Sequence, residues 1–181
     1  TVQELRESLR GEGVPPADAN YDEARAVWNG LIDKHPALIV HCSGVADVLE
    51  AVQFARSQDL ELAVRGGGHS LPGFSTSDGG IVADLSPMKG IRVDPAAMTV
   101  VAEAGATWGE LSHETQAFGL ALTGGLTSST GLTGFALGGA RLWLMRKLGT
   151  RCCQPHPANL RHRHVCRLPI CRRHAHSRLL C

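Results

Sequence analysis

The stretch VRGGGHS, residues Val64–Ser70, places three consecutive glycines directly after the short apolar run Leu62–Val64. This order predicts a strand that ends in a loop with almost no side chains. Because glycine tolerates positive φ, successive N–H groups of such a loop can converge on an anion, with Arg65 and Ser70 adding a charge and a hydroxyl. The loop therefore predicts a diphosphate site. A flexible turn is the alternative, but a turn needs no imidazole such as His69.

The residues before the loop predict strand, helix and strand in succession. Leu38–Val40 is a short apolar run, and Val45–Ser57 has apolar residues at helical spacing, namely Val45, Val48, Leu49, Val52 and Ala55. Together with Leu62–Val64 this order indicates a β-α-β unit. Further upstream, Thr1 and Glu4 have capping-box spacing, and residues 21–32 predict a second helix from Ala24, Val27, Trp28 and Leu31.

The residues after the loop predict short strands followed by one helix. Ile81–Leu85, Ile91–Val93 and Met98–Ala102 are β-rich runs separated by turn residues. Thr107 and Glu110 again have capping-box spacing and open a helix that Gly119 closes. This mixture differs from the regular alternation of a doubly wound sheet, so the chain is assigned to the α+β class.

Composition limits the possible classes of protein. The chain has 181 residues, of which 43% are hydrophobic but only 4% aromatic, so one mainly aliphatic core is expected. All 17 acidic residues lie at or before Glu114, whereas 10 of the 18 basic residues follow it. The N-terminal residues lack the apolar segment of a secretory signal, so a cytoplasmic location is expected by default.

An uncharged segment, Thr115–Ala140, precedes the basic end of the chain. It contains too many Gly, Ser and Thr residues for a membrane-spanning helix and predicts buried loop and strand. Within it, residues 123–139 combine closely spaced glycines with hydroxyl side chains, which suits a backbone that approaches a flat ring or a phosphate chain. The apolar residues of this stretch indicate packing rather than a solvated linker; they are Leu126, Leu132, Phe135 and Leu137.

Three stretches together resemble one protein family. RGGGHS at 65–70, DLSPMKGIRVDPAAMTVVAEAGATWGEL at 84–111 and GLALTGGLTSSTGLTGFALGG at 119–139 closely resemble the FAD-binding domain of the FAD-linked oxidases related to p-cresol methylhydroxylase, vanillyl-alcohol oxidase and berberine bridge enzyme. The resemblance runs in register from Tyr21 to Gly149. It implies the two-subdomain α+β fold of the p-cresol methylhydroxylase type, incomplete at its C-terminus and forming the N-terminal part of a longer oxidase.

The resemblance also implies a set of FAD-binding residues. The glycine loop would hold the FAD pyrophosphate through Arg65, Gly66, Gly67, Gly68, His69 and Ser70, and His69 would carry a covalent bond to the flavin 8α carbon. The later glycine-rich segment would contact the flavin through Gly124, Gly125, Thr127, Gly131 and Gly134. Some relatives have a second covalent link through a cysteine where this chain has Thr127, so no second link is expected. Trp108 is assigned to the core and His113 to the surface.

The function implied by the resemblance is that of an FAD-dependent oxidoreductase. Hydride would pass from an alcohol, sugar or amine C–H to the covalently bound flavin, and dioxygen would reoxidise it. The substrate residues of relatives belong mainly to a later domain, so no catalytic residue is identified in this chain. A flavin-binding fragment without turnover remains an alternative. A small-molecule substrate is expected as partner, with no metal, nucleic acid or membrane.

The last 32 residues depart from the family pattern. Arg141 stands where relatives have glycine, and the resemblance ends after Gly149, which divides the chain into residues 1–149 and a tail, 150–181. The tail has five Cys, five His and seven Arg but no Gly, Asp or Glu. A shifted reading frame of a GC-rich gene is the favoured explanation of this composition. A basic nucleic-acid-binding tail is one alternative, and a zinc site is another, drawn from His162, His164, Cys166, Cys171, His174 and His176.

Overall fold

The protein folds as two compact units of mixed α and β structure. A computed structural model describes residues 1–122, 124–138, 165–169, 171–173 and 179–180. The first unit is Thr1–Met88 and the second is Lys89–Cys181. The mixture of helices and short strand clusters confirms the predicted α+β class.

Five helices and ten strands make up the described part of the chain. The helices are α1 (Val2–Ser8), α2 (Tyr21–Arg25), α3 (Val45–Ser57), α4 (Trp108–Gln116) and α5 (Leu132–Leu137). The strands of the first unit are β1 (Glu12–Val14), β2 (Leu38–His41), β3 (Leu62–Arg65) and β4 (Ile81–Asp84). Those of the second unit are β5 (Ile91–Asp94), β6 (Thr99–Glu103), β7 (Leu120–Ala121), β8 (Val165–Pro169), β9 (Cys171–Arg173) and β10 (Leu179–Leu180).

The first unit is built on a four-stranded sheet in the order β1-β2-β4-β3. Strands β2 and β3 both run parallel to β4, and β1 runs antiparallel to β2. The predicted β-α-β succession of β2, α3 and β3 is confirmed, with β4 placed between the two strands. The register sets His41 and Arg65 on either side of Asp84, at the carboxyl ends of the three parallel strands.

Both faces of this sheet are buried, and alternate residues of each strand belong to different apolar clusters. On one face, Leu38, Val40 and Ile81 pack with residues of α1 and α3. On the other, Ile39 and Val82 pack with Val14 and Tyr21. A side-chain period of two in a strand requires this division. The aliphatic core predicted from the low aromatic content is thus present in the first unit.

The predicted buried face of α3 is partly wrong. Its bounds, Val45–Ser57, agree with the prediction, but Val45 and Leu49 are exposed, and the residues that pack inward are Val48, Ala51 and Ala55. Asp47 is also buried on this helix and accepts hydrogen bonds from the backbone N–H groups of Arg10, Gly11 and Ser43. One polar residue of the helix is therefore turned inward by hydrogen bonds that periodicity cannot reveal.

The predicted second helix is wrong in length. Helix α2 ends at Arg25 instead of continuing to residue 32, and Ala26 is already extended with ψ at 139°. In a longer helix the Ala24 carbonyl would accept from the N–H of Trp28. Instead it accepts from Arg65 Nη1 at 2.6 Å, while the Trp28 N–H donates to the Gly68 carbonyl at 3.1 Å. Long-range hydrogen bonds thus end the helix early.

The second unit has an apolar core around Trp108. Helix α4 begins after Thr107 with the predicted capping box to Glu110, and its Leu111 is fully buried. Strands β5, β6 and β8 form one antiparallel sheet, and β7, β9 and β10 form another. Residues 128–132 run beside residues 106–109, since the N–H groups of Trp108 and Gly109 donate to the carbonyls of Thr130 and Ser128.

The glycine-rich segment contains a helix that the sequence does not predict. The interpretation of residues 115–140 as loop and strand is corrected by α5, whose Leu132 is fully buried and whose Phe135 contacts Trp108 edge to face. The packing expected of Leu126 and Leu137 is also wrong, because both side chains are exposed. Gly134 lies within this helix, and Gly131 and Gly138 flank it. Because glycine is a poor helix former, the sequence does not predict a helix here.

The tail contributes three short strands to the second unit. Strand β8 pairs with β6, β9 pairs with β7, and β10 pairs with β9. The shifted reading frame stays a prediction, because it concerns the gene and is tested by translating the DNA in its other frames. The side chains of the zinc candidates in the tail, like Arg141, lie outside the described residues.

Candidate functional site

The predicted anion-binding loop lies at the carboxyl end of β3. Residues Gly66–Ser70 follow Arg65 directly and are half-buried. Strands β2 and β4, which are parallel to β3, end at the same edge of the sheet. In open α/β sheets the crevice outside the carboxyl ends of parallel strands is where ligands bind. The fold therefore places the glycine loop where a cofactor site is expected.

One glycine of the loop adopts the left-handed backbone conformation. Gly68 has φ at +67°, whereas Gly66 and Gly67 lie outside the positive-φ region. A Cβ atom built on Gly68 would approach only Arg65 Cδ, at 3.8 Å, which is ordinary van der Waals contact. Gly68 is therefore required by backbone conformation and not by packing, and the space beside it is left open by the protein's own side chains.

Arg65 points into the first unit. Its side chain is buried and donates to the Asp84 carboxylate at 2.8 Å, and through Nη1 to the carbonyls of Ala24 and Ala26. The charge that the sequence suggests for the margin of the loop is thus used to hold the end of α2. A contact between the Arg65 backbone and the cofactor stays a prediction.

Asp84 is the centre of a buried charged cluster. Its Oδ2 lies 2.8 Å from both Arg65 Nη2 and His41 Nδ1, and the backbone N–H and hydroxyl of Ser86 also donate to the carboxylate. Burial alone would raise the pKa of Asp84, but hydrogen bonds from His41 and Arg65, together with the Arg65 charge, hold it well below its ordinary value. The carboxylate is therefore ionised and anchors the strand that carries the loop.

His69 is stacked on Trp28. The two ring centroids are 5.2 Å apart and the rings are inclined by only 19°. Trp28 comes from the segment after α2, and its side chain remains 63% exposed. The sequence pattern assigns Trp28 to a buried helix face and does not place it near the loop. No spacing rule links positions 28 and 69, so the contact depends on the tertiary fold.

Ser70 begins a series of tight turns. Its hydroxyl oxygen accepts from the Phe74 N–H at 3.0 Å, and its carbonyl accepts from the Gly73 N–H. Three buried hydroxyl groups follow, on Ser75, Thr76 and Ser77, and none has a hydrogen-bond partner among the described residues. Buried hydroxyls normally find a partner, so this segment can accept a polar ligand. The site residues predicted from the sequence do not include these three, although they are visible as three consecutive hydroxyl residues after Phe74.

Two of the five predicted flavin contacts in the second unit lie against Trp108. A Cβ on Gly124 would lie 2.0 Å from Trp108 Cζ3, and one on Gly125 would lie 2.9 Å from Trp108 Cδ1. Gly131 is buried next to Thr107, whereas Thr127 and Gly134 are exposed. Trp108 is buried and His113 is exposed, which confirms both assignments. Flavin contacts at these five positions stay predictions.

Metal and membrane sites find no support in the described part of the chain. Within the described ranges, no group of three or more His, Cys, Asp and Glu residues could hold a metal ion. Among the same residues, no helix is long and apolar enough to span a membrane.

Cys42 is a free, buried thiol whose pKa is raised to about 12, first by burial and then by the charges of Asp47 and Asp84.

Comparison with known proteins identifies the domain that the chain contains. Residues 36–154 match the family model described as FAD binding domain. The (R)-6-hydroxynicotine oxidase of Paenarthrobacter nicotinovorans is 37% identical over 142 residues, which are 78% of this chain and 31% of that protein. An FAD-linked oxidoreductase of Dictyostelium discoideum is 40% identical over 149 residues, 82% of this chain and 32% of that protein. The chain thus spans about a third of these relatives.

Solved structures have the same fold. The crystal structure of 6-hydroxy-D-nicotine oxidase from Arthrobacter nicotinovorans superposes with a TM-score of 0.75 at 37% identity, covering 78% of this chain and 31% of that one. A berberine-bridge-enzyme-like protein of Physcomitrella patens superposes with a TM-score of 0.76 at 30% identity, covering 82% and 33%. Both matches lie well above a random superposition.

Proposed function

The chain belongs to the FAD binding domain family of FAD-linked oxidases, and from this premise we propose that it binds FAD as part of an oxidoreductase. The glycine loop holds the pyrophosphate, and His69 forms a covalent bond to the flavin. The oxidoreductase activity belongs to the whole protein. No residue of this chain is assigned to the substrate step.

The observation that carries the proposal is the open backbone of the loop. Gly66–Ser70 lies at the carboxyl end of a parallel strand, and Gly68 has positive φ with no side chain crowding it. A diphosphate needs converging N–H groups at close range, which a Cβ would obstruct. The loop therefore fits the phosphate portion of FAD, and the buried hydroxyls of Ser75–Ser77 offer further polar groups in the same unit.

The anchoring and the covalent bond have different sources in this proposal. Backbone groups of Gly66, Gly67, Gly68 and Ser70 bind the pyrophosphate, while the imidazole of His69 supplies the bond to the flavin 8α carbon. Forming this bond would replace one imidazole N–H and one 8α C–H, and bound FAD would supply the two-electron oxidation that this requires, with dioxygen as final oxidant and hydrogen peroxide as product. In the second unit Gly124, Gly125, Thr127, Gly131 and Gly134 contact the flavin.

The proposed reaction uses FAD as a two-electron acceptor. Bound FAD supplies the capacity to take a hydride from an alcohol, sugar or amine C–H, with dioxygen as the final oxidant. The relatives named as FAD-linked oxidoreductases and as a nicotine oxidase support this class of reaction. The location expected from the N-terminal sequence, the cytoplasm, is part of the same proposal, as is a small-molecule substrate.

Acid precipitation after incubation with FAD separates binding from covalent attachment. The wild-type chain should retain yellow flavin in the acid pellet, whereas His69→Ala should bind FAD in equilibrium dialysis but release all of it in acid. Gly67→Val should lose binding by roughly tenfold or more, because a branched side chain blocks the diphosphate. Positive φ lies at Gly68 and not at Gly67, so this variant tests obstruction without the strain of a left-handed backbone.

Gly44→Val is the matched control for Gly67→Val. A Cβ on Gly44 meets nothing within 4 Å, and its φ of −172° is accessible to valine. FAD binding should therefore be unchanged in this control. Binding that survives Gly67→Val undiminished would contradict the role of the loop. Flavin released by acid from wild type and from His69→Ala alike would contradict the covalent bond while leaving FAD binding intact.

A further inference from the structure

We propose that Trp28 is a positioning residue that orients the imidazole of His69 for its bond to the flavin. This inference rests on the proposed function of His69 but uses contacts that lie within the first unit. The indole is stacked nearly parallel to the imidazole, at a centroid distance of 5.2 Å. Offset stacking of flat rings is favourable and restricts how each ring can turn.

The exposure of Trp28 argues against a purely core role. Its side chain is 63% exposed, although tryptophan is usually well buried. Trp108 shows the contrast, since its ring is 3% exposed and belongs to an apolar cluster. Trp28 belongs to none of the three buried clusters that the described residues form. The stack on His69 is therefore the contact that best explains the position of Trp28.

The backbone around Trp28 is bound to the loop on both sides of His69. The Trp28 N–H donates to the carbonyl of Gly68 at 3.1 Å, and Asn29 Nδ2 donates to the carbonyl of Leu71 at 2.9 Å. The Asn29 side chain also accepts from the Leu31 N–H, which keeps its own turn closed. These bonds hold the Trp28 backbone beside the loop residues that flank His69.

A buried cation connects the two segments at their base. Arg65, the residue immediately before the glycines, donates to the carbonyls of Ala24 and Ala26 and is itself held by Asp84. The same guanidinium thus fixes the start of the loop and the chain that leads to Trp28. Hydrogen bonds to charged groups contribute more to stability than those between neutral groups, so Arg65 holds the two segments together firmly.

The stacking geometry suits an imidazole that must react through a ring nitrogen. The nucleophilic lone pair lies in the plane of the ring, and a partner stacked on one face covers no ring edge. The stack therefore restricts rotation about χ2 without the indole covering either nitrogen. A nucleophile held in a reactive orientation can gain about a hundredfold in rate over one displaced by about 1 Å.

The test compares Trp28→Leu and Trp28→Phe in the 181-residue chain. In the absence of FAD, NMR of the His69 ring protons reports the ring current of the stacked indole, with His69→Ala used for assignment. Trp28→Leu should shift these protons downfield, and Trp28→Phe should restore part of the upfield shift. With FAD added, acid-stable flavin should form roughly tenfold more slowly in Trp28→Leu than in wild type and near the wild-type rate in Trp28→Phe.

Leu31→Ala is the control from the same turn, since Leu31 is 91% exposed. It should change neither the ring-proton shift nor the rate. Unchanged His69 ring protons in Trp28→Leu would overturn the proposal, as would equal slowing in the leucine and phenylalanine variants. If wild type binds FAD but forms no acid-stable flavin, the covalent bond fails, and the ring-proton shift alone decides whether Trp28 orients His69. If the Trp28→Leu chain does not fold, Trp28→Met replaces it in both measurements, with the same expected and contrary results.

Discussion

The two glycine-rich regions of the chain use glycine for different physical reasons. In the first unit, Gly68 is needed because its φ is +67°, and a Cβ there would meet no atom closer than 3.8 Å. In the second, Gly124 is needed because a Cβ would lie 2.0 Å from the ring of Trp108. The space beside Gly68 is open, whereas the space beside Gly124 is filled by the protein's own tryptophan.

The difference shows that a glycine motif alone does not identify a binding site. Both regions match the family at the level of sequence, but Gly68 combines positive φ with uncrowded space, whereas Gly124 and Gly125 face the ring of Trp108. The loop is also supported by a buried ionic anchor, Asp84 and Arg65, whereas Gly124 and Gly125 are supported by aromatic packing. Each support can be removed separately.

Removing the ionic anchor should have the largest effect. Asp84→Asn leaves Arg65 buried without its carboxylate, and breaking a buried pair in this way costs about 3–5 kcal/mol. Urea unfolding followed by circular dichroism measures the loss. Asp33→Asn is the matched control, because Asp33 forms an exposed ion pair with Arg25 and should hardly change the free energy of unfolding. Equal effects in the two variants would contradict the anchoring role of Asp84.

The same anchor predicts a dependence of stability on pH. The pKa of Asp84 in the folded protein lies below its ordinary value of 3.8. Its contribution to the free energy of unfolding is therefore complete above the unfolded-state pKa and is lost as pH falls toward the folded-state pKa. Unfolding measured from about pH 6 down to about pH 2.5 should show wild type losing its advantage over Asp84→Asn below about pH 4. A constant difference across this range would contradict the assignment.

Disturbing the packing around Trp108 should have the next largest effect. Gly124→Ala forces Trp108 to move, and overpacking of this kind costs about 1–3 kcal/mol. Near-ultraviolet circular dichroism and urea unfolding report the displaced tryptophan. Gly134→Ala is the control within the same region, since a Cβ there meets nothing within 4 Å and alanine favours helix α5. That variant should be unchanged or up to about 1 kcal/mol more stable. Loss of stability in both would show that open space does not distinguish the two glycines.

Backbone strain in the loop should have the smallest effect on stability. Gly68→Ala adds no clash but places alanine at positive φ, which costs roughly 1–2 kcal/mol. The free energy of unfolding and the dissociation constant for FAD should both be measured. Gly30→Ala serves as control and should change neither, because the φ of Gly30 is not positive and a Cβ there meets nothing within 4 Å. A Gly68→Ala chain with the free energy of unfolding of wild type would contradict the left-handed conformation of Gly68.

Features that depend on neighbouring residues can be predicted from the amino-acid sequence alone. The capping boxes of Thr1 with Glu4 and of Thr107 with Glu110, the bounds of α3 and the strand ahead of the glycine loop all follow from short-range patterns. The three stretches at 65–70, 84–111 and 119–139 are likewise sufficient to indicate the FAD binding domain family. Local propensity and spacing suffice for these, because the interacting groups lie within a few residues of one another.

The attachments of the glycine loop depend instead on the tertiary fold. The inward direction of Arg65, the early end of α2 and the stack of Trp28 on His69 all join residues about 40 positions apart. The difference between Gly68 and Gly124 has the same origin, because open and filled space look alike in a sequence. Such contacts form only when strands come into register and charged groups are buried together. Neither event leaves a periodic signal along the chain.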